Sequence, residues 1–117
     1  MDARHVFKCL YIGPDADYMK WEKGVVKELA VQKIEQGIEM IEKPVECEIK
    51  IYLQTKSGRI PDISNMIQSV EDAMEKAEII KDDCLICKYT NITRTMGVPA
   101  ELERIDIIIT ELEPRLL

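Results

Sequence analysis

The sequence predicts one α+β domain, a mixed sheet packed by two helices in the order β-α-β-α-β-β. Three observations carry that reading. Residues 45–53 alternate strictly, with Val45, Cys47, Ile49, Ile51 and Leu53 on one face, the period of a half-buried strand. Two longer stretches, 18–41 and 63–77, repeat their apolar residues at helical spacing instead. A chain of 117 residues, 46% hydrophobic and 32% charged, suits one ordered domain with a single modest core.

Taken in order, residues 5–12 carry Val6, Phe7, Leu10, Tyr11 and Ile12 and then meet Gly13 and Pro14, a strand ending in a turn. Asp15 and Asp17 can cap the first helix. In that helix Trp21, Val25 and Leu29 form one stripe, and Val26, Ala30, Ile34, Ile38 and Ile41 an adjoining one. Gly24 and Gly37 weaken it, Gly37 is a point where it can end early, and Pro44 stops it. The alternating strand extends to Gln54, followed by a loop at Ser57 and Gly58. The second helix gathers Ile63, Met66, Ile67, Val70, Ala73, Met74 and Ala77 in one arc, with Asn65, Gln68, Asp72 and Lys76 opposite. Ile79 and Ile80 read as a short extended piece. Residues 84–93 read as a strand, 96–99 as a loop and 102–112 as a last strand built on Ile105, Ile107 and Ile109. Ile49, Ile51, Ile67, Val70 and Ile107 are the expected core.

The net charge of −6 argues against non-specific nucleic-acid binding. Screening confines exposed charges to about 8 Å, however, so the field at a site matters more than the total. Bound metal reverses the sign of a carboxylate cluster. No apolar stretch approaches the roughly 18 residues of a membrane span. The start at Met1 lacks the shape of a signal peptide, so the expectation is a cytoplasmic protein with no membrane association and with reduced thiols at Cys9, Cys47, Cys84 and Cys87.

Cys84 and Cys87 have a spacing used for zinc and for thiol redox chemistry. At the start of a strand, an offset of three turns the two side chains to opposite faces, so both are expected to be buried structural thiols. His5, the single histidine, is expected to play no part. Lys20, Lys23, Lys27 and Lys33 are interleaved with Glu22, Glu28 and Glu35, the composition of a solvated face.

The acidic residues between Asp62 and Asp83 are more informative. Individually they have ordinary uses: Asp62 as a helix cap after Pro61, Asp72 as an i,i+4 partner of Lys76, Asp82 and Asp83 as a polar turn. Together they bring carboxylates from a helix start and a strand start. That is how a fold holds a hard divalent cation such as Mg²⁺.

The run from Pro61, reading Pro-Asp-Ile-Ser-Asn-Met-Ile-Gln-Ser-Val-Glu-Asp-Ala-Met and then Ile-Ile-Lys-Asp-Asp, resembles the RusA family of Holliday junction resolvases. That family carries Asp-x-Asp-Asn-x-x-Lys-x-x-x-Asp-Ala-Leu, a short interval, then Asp-Asp and a strand. Asp62, Asn65, Asp72, Asp82 and Asp83 agree in register over about a fifth of the chain. The resemblance implies a RusA-like domain over residues 1–117, with Asp62 and Asp83 as catalytic carboxylates. Asp62, Asp82 and Asp83 would be the metal ligands, and Asn65 and Asp72 a supporting polar face. Two positions depart: Ser64 stands for the family's second aspartate and Gln68 for its lysine. These changes remove a charged ligand and a cation able to stabilise charge on a phosphate. Lys56, Arg59 and Lys81 are nearby in sequence as substitutes.

The function the resemblance implies is a Mg²⁺-dependent endodeoxyribonuclease, with Mn²⁺ as a possible substitute, that resolves four-way DNA junctions in recombination and repair. Paired nicks imply a homodimer on branched double-stranded DNA. The alternative is a catalytically silent member that binds branched DNA or a protein partner. A generic α+β interaction module with coincidental carboxylates is a third reading. Cleavage of a synthetic junction with and without Mg²⁺ separates them.

Overall fold

The computed structural model describes residues 3–10, 18–54 and 62–113. The expected turn at Gly13 and Pro14, the cap at Asp15 and Asp17, the loop at Ser57 and Gly58, and Lys56, Arg59 and Pro61 lie outside them. The elements are β1 (Arg4–Leu10), α1 (Tyr18–Gln36), β2 (Val45–Leu53), α2 (Ile63–Lys76), β3 (Ile86–Met96) and β4 (Arg104–Glu111), which is the expected order. They form one mixed four-stranded sheet in the order β1-β4-β2-β3. β4 runs antiparallel to both β1 and β2, and β3 runs parallel to β2. A parallel pair needs a crossover, and α2 provides it.

The alternating strand lies inside the sheet because its apolar face meets the helices. Val45, Cys47, Ile49, Ile51 and Leu53 are all buried. They join Phe7, Ile105, Ile107 and Ile109 from neighbouring strands, Trp21, Val25 and Leu29 from α1, and Met66, Ile67, Val70, Ala73 and Met74 from α2. All five expected core residues are among them. Ile34, expected on the second stripe of α1, is 79% exposed, because that stripe lies at the margin of the contact.

α1 ends earlier than the apolar spacing predicts. Gly37 adopts φ +65°, its N–H bonds to Ile34 C=O at 3.0 Å, and Ile38 N–H reaches back to Lys33 C=O at 3.1 Å. This is a Schellman closure on a glycine. α2 closes the same way, with Ile79 N–H on Met74 C=O and Glu78 N–H on Glu75 C=O, both 2.9 Å. Here, though, the left-handed position (φ 57°) falls on Glu78. Ile80 then makes an isolated parallel bridge with Ile41, which is the short extended piece.

Three expectations need correction. His5 is engaged: its Nε2 lies 2.7 Å from Glu111 Oε2, clasping β1 to the end of β4. Cys84 and Cys87 are exposed rather than buried. Cys84 sits in a 3₁₀ turn before the strand, and Cys87 falls where the β2–β3 register skips between Ile86 and Lys88. Burial belongs instead to Cys9 and Cys47, whose thiols desolvation pushes up to about 12. The third strand also starts later than expected and runs further, to Met96, because β2 offers partners as far as Leu53.

On the face of the sheet away from the helices, Asp106 is the buried charged residue among those described, at 8% exposure. Arg104 Nε holds its carboxylate at 3.0 Å, and the guanidinium stacks 4.2 Å above the Tyr52 ring. No helix among the described residues is long and apolar enough to cross a membrane.

Candidate active site

The motif residues map onto α2 and the turn that follows it. A helix repeats a face every three or four residues, so Ser64, Gln68, Glu71 and Glu75 form one stripe along α2. Ser64, Gln68 and Glu71 line a groove of about 380 Å³ together with Ile63, Ile67, Asp83 and Ile92. One wall is therefore α2. Ile92 from β3 and Asp83 from the turn contribute the rest. Ile63, which opens the apolar arc of the helix, is 36% exposed and lines this groove.

At the C-terminal end of α2, Glu75, Asp82 and Asp83 bring carboxylate oxygens within 4.8 Å of one another. The chain is held there by its own backbone. Asp83 N–H donates to Glu75 Oε1 at 2.6 Å, and Cys84 N–H donates to Asp82 Oδ1 at 2.9 Å. The second bond makes Asp82 the cap of the short 3₁₀ turn over Asp83–Leu85. It also holds the Asp82 carboxyl below the usual carboxylate range. Asp83 moves the other way. Its hydrogen bond with the Asp82 side chain pushes its carboxyl up, and the charges of Asp82 and Asp72 add to the effect. Close carboxylates with divergent affinities for the proton resist ionising together unless a cation sits among them.

Asp62 stands at the other end. It occupies the N-cap position, with its C=O accepting Met66 N–H at 3.0 Å, but its carboxylate makes no capping hydrogen bond. Thirteen positions separate it from Glu75, about 20 Å at the helical rise, and it is not part of the carboxylate trio. Asp83 belongs both to the trio and to the groove that runs toward Ser64. Asn65 is exposed and outside the groove lining. Asp72 is half-buried and acts on Asp83 through its charge. Lys76 pairs with Glu22 of α1.

Sequence reasoning missed Glu71, Glu75, Tyr89 and Ile92. Glu71 Oε2 accepts the Tyr89 hydroxyl at 2.5 Å, tying the groove wall to β3. Desolvation and this carboxylate hold the Tyr89 phenol far above its ordinary range. The signal for the glutamates was available: Glu71 and Glu75 continue the Ser64–Gln68 column at i+3 and i+4. Of the substitute cations, Lys81 is paired with Glu42 at 3.3 Å. Arg94 Nη1 lies 3.9 Å from Met66 Sδ, beside the first turn of α2.

Three oxygen donors of this kind fit a hard divalent cation and not a thiophilic one, since neither exposed cysteine belongs to the group. Compared with known families, residues 4–110 match the family model described as Endodeoxyribonuclease RusA. No curated protein matches the chain.

Proposed function

Because this chain belongs to the RusA endodeoxyribonuclease family, matched over residues 4–110, we propose that it is a Mg²⁺-dependent nuclease that resolves four-way DNA junctions as a homodimer. The observation that carries this reading is the double position of Asp83, in the carboxylate trio and in the groove beneath α2. The family motif falls on that same helix and turn.

In this reading Asp83 and Asp82 would hold the cation, with Glu75 available as a third oxygen donor from the last turn of α2. Asp62 is the second catalytic carboxylate, contributed from the N-cap of α2, next in sequence to the groove-lining Ile63. A bound Mg²⁺ would acidify water and stabilise charge on a leaving oxygen. The protein's own contribution is positional. Glu75 fixes the backbone of Asp83, the Asp82 cap fixes the turn, and the Glu71–Tyr89 bond fixes the wall. Four-way DNA would be selected through its shape and backbone rather than its bases.

A second reading has its own observation. Ser64 and Gln68, the two departures from the family motif, both line the groove. Losing one electrostatic contact to a transition state costs on the order of 10²–10³ in rate, so a member lacking two can bind junctions without cutting them. The test is a synthetic four-way junction incubated with and without Mg²⁺, with Asp83→Asn as control. Mg²⁺-dependent paired nicks support the nuclease. Binding without nicks supports the silent member, and no binding removes both.

A further inference from the structure

Three isoleucines open onto the groove beneath α2. Ile63 and Ile92 are each 36% exposed, and Ile67 adds to the apolar lining. The polar groups beside them are Ser64, Gln68, Glu71 and Asp83, and neither lysine nor arginine lines the space. A phosphate entering here would exchange water for apolar side chains and two carboxylates, so the backbone of a nucleic acid is repelled. A flat, neutral group is not. It can lay its faces on isoleucine and turn a polar edge to the amide and the carboxylate. The volume, about 380 Å³, lies within the range of sites for small organic groups.

That edge has to match the groups that meet it. Gln68 and Glu71 are three positions apart on α2, so their side chains are neighbours. Glu71 commits Oε2 to the Tyr89 hydroxyl at 2.5 Å, which leaves Oε1 as an acceptor. Gln68 is exposed, and its amide supplies an acceptor and two donors. An adenine edge offers a ring-nitrogen acceptor beside an exocyclic amine. A glutamine amide pairs with both at once, and the second N–H of the amine is left for a carboxylate. On the same edge, thymine and guanine present a carbonyl oxygen in place of that amine. Cytosine carries an amine but, as a pyrimidine, covers less of the isoleucine surface. The lysine of the family motif has donors only, so the donor–acceptor pair at Gln68 is this chain's own.

We propose that the groove takes one unstacked adenine, with Gln68 and Glu71 reading its edge and the isoleucines packing on its faces. Its place in the reaction follows from Asp83, which lines the groove and also belongs to the carboxylate trio. A base seated there lies beside the cation, in or next to the nucleotide whose phosphate the cation would meet. The base would then select where the chain cuts, a role that rests on the proposed resolvase reading. Taking a base out of its stack costs least where it has already lost its pairing partner. The crossing point of a four-way junction is such a place.

The test is fluorescence anisotropy of the full chain in EDTA, with a short labelled oligothymidylate carrying one central adenine. Companion strands replace that adenine by purine, which lacks the amine, by cytosine, or by an abasic sugar. Wild type should bind the adenine strand about tenfold more tightly than the purine and abasic strands, within the range of a bidentate base contact. The cytosine strand should fall between. Gln68→Leu and Gln68→Ala, at an exposed position, should bind all four strands alike. Equal affinity of wild type for the four strands, none included, overturns the proposal. So does a cytosine strand bound as tightly as adenine, or a preference that survives both variants. The same replacements at the crossing point of a four-way junction in Mg²⁺ separate this site from the function. Junctions cut alike with every base keep the resolvase reading and sink the adenine site. A chain that prefers the adenine strand, yet neither binds nor cuts a junction, keeps the site and sinks the resolvase reading.

Discussion

The two ends of α2 are built on opposite plans. At the start, Asp62 sits in the cap position with its carboxylate unengaged in capping, and Ser64 offers only a hydroxyl to the groove. At the finish, Glu75 and Asp82 accept backbone N–H groups, and three carboxylates converge. Among the described residues, one end presents a single exposed carboxylate, while the other holds several together. Fixed dipoles and charges cost no reorganisation when a ligand arrives, so the C-terminal end is where cation binding should be strongest. The N-terminal end of a helix also carries the positive end of its dipole, which suits an approaching phosphate better than a cation. In the proposed reading, the anion-favouring start of α2 would meet a phosphate and the carboxylates at its finish would hold the cation.

The sharpest way to break this comparison is to titrate Mg²⁺ or Mn²⁺ calorimetrically into variants of each end. Asp83→Asn should lower affinity at least a hundredfold, since it removes the residue common to trio and groove. Asp62→Asn, about 20 Å along the helix from Glu75, should lower it no more than about tenfold. Equal losses at both ends would mean that one cation is shared between Asp62 and Asp83 and that Glu75 is a bystander. An unchanged affinity in Asp83→Asn would remove that residue from the site.

A substitution in the middle of the helix separates positioning from packing. Val70 is fully buried against the sheet. Val70→Ala should cost about 1–3 kcal/mol through lost burial and a residual cavity. Metal affinity of the folded protein should stay within about twofold, because neither end loses a ligand. A denaturant midpoint that does not move would place this face of α2 outside the core.

Much of this was legible beforehand, for reasons tied to particular residues. The period of two at Val45–Leu53 marks a strand whatever its partners, and the arc from Met66 to Met74 marks a buried helix face. Asp62, Asp72, Asp82 and Asp83 were visible because the family motif fixes their spacing. What stayed hidden depends on tertiary geometry. Gln68 was read as part of the polar side with Asn65 and Asp72, whereas the groove follows the neighbouring column through Ser64 and Glu71. Only the position of β3 decides between the two columns. Glu75 joins the site because the Schellman closure at Glu78 turns the chain back toward it, and no spacing rule announces that. The exposure of Cys87 follows from a skipped register, a detail of pairing that no single strand's sequence carries. Likewise, His5 was read as idle because its partner Glu111 lies at the far end of the chain.

The weak end of α2 can be strengthened directly. Restoring the family's residues, Ser64→Asp with Gln68→Lys, should raise junction cleavage at least tenfold, which needs about 1.4 kcal/mol of transition-state stabilisation. Ser64→Asp alone should strengthen metal binding but bring less rate, since another carboxylate in the groove adds repulsion that the lysine offsets. The pair should therefore be non-additive, as neighbours in one network are. Initial rates on a labelled junction measure this. A wild type already as fast as the double variant would mean that Arg94 or another cation supplies the missing charge, and the silent-member reading would fall.

The smallest effect is expected at the far end, where Glu78 holds a left-handed φ of 57° that glycine adopts without a steric penalty. Its N–H closes the helix on Glu75, the residue whose side chain holds Asp83. Glu78→Gly should relieve the backbone strain while increasing the entropy of the unfolded chain. The net gain should be about 0.5–1 kcal/mol in thermal or denaturant unfolding. The exposed Glu78 side chain makes no carboxylate contact with the trio, so metal affinity should not change. Glu78→Ala, which keeps a Cβ in the same backbone conformation, should give no such gain. If glycine and alanine were equally stabilising, the benefit would come from removing a negative charge near the carboxyl end of the helix dipole, and strain would not be the cause.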